Sequence, residues 1–144
     1  MSADSGAGGL QPIIFETRHS VKFREIDAYG HMNMAYYLSY YTDHRFEGMR
    51  RFVGMDFKEI AALPIAFHTR NVEIEYLRPL MADQTFVIRS FVSEWKRTQL
   101  ICDFTMTNEE GQTMSTAKMR VGCIDKATLK PCAWPDGMME RYFK

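Results

Sequence analysis

Three cysteines, Cys102, Cys123 and Cys132, are all that this 144-residue chain contains. An odd number with no close pair in sequence argues against a disulfide scaffold and suits a reducing compartment, so a cytoplasmic protein is expected. Neither Cys-x-x-Cys nor His-Glu-x-x-His occurs, and His19, His31, His44 and His68 lie scattered without ligand spacing, so no metal or redox cofactor is expected. There is no phosphate-cradling glycine loop and no serine in a Gly-x-Ser-x-Gly elbow. The longest apolar run, 60–67, is broken by Pro64 and far too short to span a bilayer. Charge of one sign is also missing: eighteen basic side chains balance eighteen acidic ones. No overall field therefore favours nucleic acid or an anionic membrane, and neither is expected as a partner.

What remains is an ordinary globular mixture, 46% hydrophobic and 25% charged, of a length that suits one compact domain. The small polar N-terminus lacks the basic region and apolar core of a signal peptide. Residues 1–12 read as a flexible tail, and 13–144 as a single domain. A first strand is predicted over about 19–26, from the alternation of Val21 and Phe23 with Lys22 and Arg24. A long helix is predicted over 34–53, with Leu38, Tyr41, Phe46, Met49, Phe52 and Val53 marking its apolar face and Gly54 ending it. Asp56 with Glu59 signals a short second helix that stops before Pro64. Period-two patterning then runs through 65–77, 85–95, 100–107 and 117–123, with turns at 78–83, 96–97 and 109–112. The segment 130–137 looks irregular and the C-terminus mobile. One helix and about five strands give an α+β domain whose sheet curls around the helix.

The stretch 21–38 organises the rest. Asp27 stands where a strand ends, Gly30 can take positive φ, and Asn33 is placed to cap the long helix. A carboxylate then lies near a helix N-terminus, where free N–H groups favour developing negative charge. That is half of an acyl-transfer apparatus.

The run Asp27-Ala28-Tyr29-Gly30-His31-Met32-Asn33-Met34-Ala35-Tyr36-Tyr37-Leu38, with Arg45 further along the helix, resembles the hotdog-fold acyl-CoA thioesterases of the 4-hydroxybenzoyl-CoA thioesterase type. Val72-Glu73-Ile74-Glu75-Tyr76-Leu77-Arg78-Pro79 resembles that family's second long strand. The resemblance implies a five-stranded antiparallel sheet, order 1-3-4-5-2, wrapped around one long helix. It also implies a homodimer or homotetramer with sites at the subunit interface. Its substrate would be an acyl-CoA, with CoA entering as part of the substrate and no separate cofactor. Asp27 matches the catalytic carboxylate, as nucleophile or as general base. Backbone amides from Gly30 to Met34 would polarise the thioester carbonyl. Two departures stand out: Ala82 where glycine is common, and Asp43-His44-Arg45 where a helical glutamate usually precedes the arginine by three residues.

Each of these residues also has a plainer role open to it. Asp27 can hold its loop through side-chain-to-backbone bonds. His31 is either a general base or a brace for that loop, and Asn33 either a cap alone or a cap that also touches substrate. Glu47 reads as a solvated or ion-paired helix residue, and Arg45 as one half of a structural ion pair. Lys96, Arg97 and Thr98 either contact CoA phosphates or form a solvated turn. Cys102 and Cys123 read as small buried hydrophobes. Two other activities share this pattern in part: a 3-hydroxyacyl-thioester dehydratase, and a non-catalytic acyl-thioester binding module.

Overall fold

A computed structural model of the chain describes residues 9–144. Residues 1–8 of the expected tail lie outside the described residues. Gln11 and Pro12, also assigned to that tail, are paired: Gln11 N–H donates to the Lys144 carbonyl at 2.8 Å, and Pro12 forms a bridge with Phe143. The C-terminus is correspondingly ordered rather than mobile. Trp134, Met138, Tyr142 and Phe143 are buried, and Trp134 packs on Trp95 at 5.1 Å. Aromatic area of this kind supplies the burial that holds an otherwise irregular segment down.

Five strands, β1 (Phe15–Ser20), β2 (Ile65–Tyr76), β3 (Thr85–Trp95), β4 (Gln99–Asn108) and β5 (Thr113–Asp125), form one antiparallel sheet in the order β1-β3-β4-β5-β2. The order is that of the hotdog fold. The sheet's inner face carries Phe86, Ile88, Leu100, Phe104, Met106, Ala117, Met119, Val121 and Cys123, all buried. A register shift between Thr69 and Asn71 bulges β2, as its length suggested.

The first strand lies earlier than the alternation at 21–24 indicated. Phe15 and Thr17 face inward and β1 pairs with β3 from Phe15↔Ser90 to Ser20↔Thr85. Beyond it the chain folds into a 3-10 turn at Phe23–Glu25, leaving Phe23 87% exposed. The turn wins because its polar groups close on each other. Lys22 N–H donates to the Glu25 carboxylate at 2.9 Å, and the same carboxylate accepts from the Tyr40 hydroxyl at 2.7 Å.

Helix α1 (Met34–Gly48) continues as a π-helical turn, Met49–Val53, and stops at Gly54 in the left-handed region, φ 78°. A short α2 (Phe57–Ala62) follows, capped by Asp56, whose side chain accepts from Glu59 N–H. The buried stripe of α1 is Tyr37, Tyr40, Tyr41, His44, Arg45 and Gly48. Of the expected face, Tyr41, Met49 and Val53 are buried, Phe46 and Phe52 pack partly against the core, and Leu38 is exposed, while Tyr37, Tyr40, His44, Arg45 and Gly48 join the buried stripe. The stripe is built of side chains whose polar tips find partners inside. Tyr41 donates to Ser115 at 2.8 Å, and the His44 ring nitrogens lie 2.6 Å from Thr17 Oγ1 and 2.7 Å from Ser90 Oγ. Burial pushes the His44 imidazole down to about 3, so it is neutral at physiological pH.

Arg45 is buried without the expected ion pair among the described residues. Its guanidinium reaches Thr69 Oγ1 at 3.4 Å and lies over the rings of Phe46 and Phe67. Aromatic faces and a hydroxyl replace the carboxylate.

Candidate active site

The loop between the 3-10 turn and α1 is closed by its own backbone. Asp27 N–H donates to the His31 carbonyl at 2.8 Å, and Gly30 N–H returns to the Asp27 carbonyl at 3.1 Å. Gly30 sits at φ 81°, which a side chain at that position would strain. Met32 N–H then docks the loop on the Leu80 carbonyl at 2.7 Å, and Asn33 N–H docks it on Glu25 at 2.8 Å. Asn33 caps α1, its side-chain oxygen accepting from Ala35 N–H at 3.0 Å.

These bonds fix what is left open. Asp27 Oδ1 accepts from Tyr29 N–H at 2.9 Å and His31 N–H at 3.2 Å. Its Oδ2 has no partner among the described residues. The same is true of the Met34 N–H, which as the first amide of α1 has no intrahelical acceptor. Of the amides expected at the oxyanion, those of Gly30, His31, Met32 and Asn33 are therefore engaged and that of Met34 is free. His31 braces the loop through its backbone, while neither ring nitrogen makes a hydrogen bond among the described residues.

Asp27, His31 and Met34 share an open cleft of about 480 Å³ with Tyr37, Tyr76 and Arg78. Tyr37 is buried, its ring set edge-on to Tyr76 at 4.9 Å and its oxygen accepting from Leu80 N–H at 3.4 Å. Burial raises its phenol pKa, the Leu80 hydrogen bond opposes this, and the charges of Tyr76 and Asp27 add to the rise. Tyr76 donates to the Met34 carbonyl at 3.4 Å, tying the end of β2 to the start of α1. The exposed apolar side chains that line the cleft are Met34, Tyr76 and Leu77. Tyr76 and Arg78 were not singled out from sequence as site residues. Their signal was the family-like segment 72–79, whose place beside the helix start appears only in three dimensions.

Lys96, Arg97 and Thr98 are not brought to this cleft within one chain. They follow Trp95, whereas the Asp27 loop docks beside the start of β3, and eleven strand residues span about 33 Å. Lys96 and Arg97 line a separate shallow groove of about 350 Å³ with Trp134 and Asp136. Glu47 is likewise remote from Asp27's cleft. It pairs with Arg50 at 2.6 Å on the exposed side of α1, and that hydrogen bond holds its carboxyl below the usual range. Among the described residues, no helix is long and apolar enough to cross a membrane.

Comparison with known proteins places relatives around this geometry. A model of the thioesterase-like superfamily matches residues 21–142. The acyl-CoA thioester hydrolase YbgC of Escherichia coli O6:H1 is 26% identical over 133 residues, which are 92% of this chain and 98% of that protein. The long-chain acyl-CoA thioesterase FadM of Escherichia coli K12 is 29% identical over 127 residues, 88% of this chain and 95% of that one. Among solved structures, the Staphylococcus aureus protein SAV2348, determined in complex with CoA, superposes with a TM-score of 0.83 at 21% identity. That match covers 94% of this chain and 85% of the other.

Proposed function

The chain belongs to the thioesterase-like superfamily, and from that premise we propose that it hydrolyses an acyl-CoA thioester to the free acid and CoA. One observation carries the reading. A carboxylate with one oxygen held by two backbone amides and the other unpartnered shares a cleft with a free helix N-terminal amide. The thioester carbonyl accepts from Met34 N–H, where the helix dipole favours the negative charge that develops on its oxygen. Asp27 then acts in one of two ways. As general base it takes a proton from water while the water oxygen attacks the carbonyl carbon. As nucleophile it forms an acyl anhydride that water opens. In both cases the C–S bond breaks and the sulfur becomes the CoA thiol with a proton from water, passed on by Asp27 in the general-base route and released when water opens the anhydride in the nucleophilic one. Asn33 acts through the helix start it caps, and His31 through the loop it closes.

The full site is completed by a second copy, in a homodimer or a homotetramer. Two observations support this: the Lys96–Thr98 turn lies far from Asp27 in one protomer, and β2 presents a long edge with largely exposed residues. With the turn of one protomer close to the cleft of another, Lys96, Arg97 and Thr98 would meet the CoA phosphates. The names of YbgC and FadM agree with an acyl-CoA as the substrate class.

The test is thiol release from short, medium, long and aromatic acyl-CoAs, with wild type measured beside Asp27→Asn. The asparagine oxygen still accepts from Tyr29 and His31, so the loop is kept while base and nucleophile are removed. Turnover is expected to fall by about two to four orders of magnitude at an unchanged unfolding midpoint. Equal turnover in the two proteins refutes the role of Asp27. Enoyl product without thiol release identifies a dehydratase, and tight binding without turnover a binding module.

A further inference from the structure

Cys123 and Cys132, nine residues apart and unpaired in any sequence motif, have their sulfurs 3.7 Å apart. We propose that they are a redox-active thiol pair, closed to an intramolecular disulfide by a peroxide, which clasps the C-terminal segment onto β5 and acts on the Lys96–Thr98 turn. Disulfide formation stands on this geometry alone. The effect on substrate rests on the assignment of that turn to CoA.

The backbone already holds the pair in register. Ile124 and Pro131 form an antiparallel bridge, and Cys132 N–H donates to the Cys123 carbonyl at 3.0 Å, so the two cysteines face each other directly across the pairing. Residues opposite one another in an antiparallel pair have Cα atoms about 4.5–5.5 Å apart, inside the range of about 4.4–6.8 Å that a disulfide needs. Closure therefore asks for a side-chain adjustment, and Cys132 lies on the irregular segment that can supply it. Cys123 is fully buried and Cys132 partly exposed. The accessible Cys132 thiolate meets the oxidant. It attacks one peroxide oxygen, the O–O bond breaks, and Cys132 becomes a sulfenic acid with loss of hydroxide. The Cys123 sulfur then attacks that sulfenic sulfur, the S–O bond breaks, and the second oxygen leaves as water. Two thiols lose two electrons and two protons, and hydrogen peroxide becomes two waters. Burial, with the contact to Cys132 adding to it, pushes the Cys123 thiol up, so it is the accessible Cys132 that reacts first.

What the clasp holds gives the pair a consequence. All three carbonyls of the cationic turn accept hydrogen bonds from the two segments the disulfide would join. Thr98 accepts from Cys123 N–H at 2.8 Å, Arg97 from Trp134 N–H at 3.2 Å, and Lys96 from the Trp134 indole N–H at 2.9 Å. Drawing residue 132 toward β5 thus moves the support of Lys96 and Arg97 directly. A disulfide of this kind is transient in a reducing compartment, which fits a sensor rather than a scaffold.

The experiment treats the full chain with hydrogen peroxide, alkylates the remaining thiols after unfolding, and maps the peptides. The expected result is a single Cys123–Cys132 cross-link, a fall from three free thiols to one, Cys102, and full reversal by dithiothreitol. Cys132→Ser is expected to give no cross-link. Sulfinic acid at Cys132 without a cross-link, a bridge involving Cys102, or three persisting thiols would each overturn the pairing. For the coupling, the oxidised wild type is expected to change its KM for acyl-CoA, or its dissociation constant for CoA alone, by threefold or more, while Cys132→Ser under the same treatment does not change. A closed disulfide with both constants unmoved overturns the coupling. The CoA measurement needs no turnover, so it separates this failure from failure of the thioesterase reading.

Discussion

Met34→Pro isolates a single backbone hydrogen. Met34 is the first residue of α1, so its N–H makes no intrahelical bond and its loss removes nothing from the helix. Proline is well accepted at this position, since its fixed φ suits the first turn. Asn33 before it has φ −60° and ψ 137°, the extended conformation a following proline requires. The methionine side chain is 68% exposed, so only a third of the roughly 1.5–3 kcal/mol for burying such a side chain is at stake, about 1 kcal/mol or less. The Met34 carbonyl, which accepts from Tyr76, is retained. Removing one oxyanion donor costs about 10²–10³ in kcat, or about 2.7–4 kcal/mol of transition-state stabilisation. Met34→Ala keeps the amide and loses the same side chain, and is the control. The assay is steady-state thiol release with the best acyl-CoA, together with thermal unfolding of both variants. Met34→Pro is expected to lose kcat and kcat/KM alike, with Met34→Ala close to wild type. If the proline variant turns over within about threefold of the alanine variant, Met34 N–H is not the oxyanion donor.

Two further expectations concern the frame that holds the site. The His44 imidazole is pushed from 6.5 to about 3 in the folded state, so between these values the unfolded chain binds more protons. Its contribution is complete above pH 6.5 and is lost as pH falls toward 3, and the loss by pH 5 is about 2 kcal/mol at about 1.36 kcal/mol per unit of pKa. Urea unfolding at pH 7 and pH 5 should show a smaller drop for His44→Gln than for wild type, and equal drops would refute the assignment. Gly48→Ala should destabilise by about 1–3 kcal/mol despite the better helix propensity of alanine, because the added Cβ overlaps the Phe15 ring where α1 crosses β1. An unchanged or raised melting temperature would show that β1 gives way without cost.

The local geometry of the Asp27 loop was legible because it is written locally. Asp27, Gly30, Asn33 and Met34 lie within eight residues, and their roles follow from turn and capping rules that need no distant partner. The strands from β2 onward were legible for the same reason, since an inward face of alternating apolar residues is a local record of burial. The first strand and the polar part of the buried face of α1 were not. Lys22 to Glu25 alternates like a strand but closes into a turn because Tyr40, fifteen residues beyond Glu25, supplies a hydrogen bond. Tyr40, His44 and Arg45 do not look like part of a core stripe until Glu25, Thr17, Ser90 and the Phe67 ring appear opposite their polar tips. The placing of Tyr76 beside Met34, the distance of the Lys96–Thr98 turn from Asp27, and the approach of Cys132 to Cys123 belong to the same class. Periodicity records which side of an element is buried, but not what it is buried against. A polar group is stable inside only when its partner is there, and that partner comes from another part of the chain.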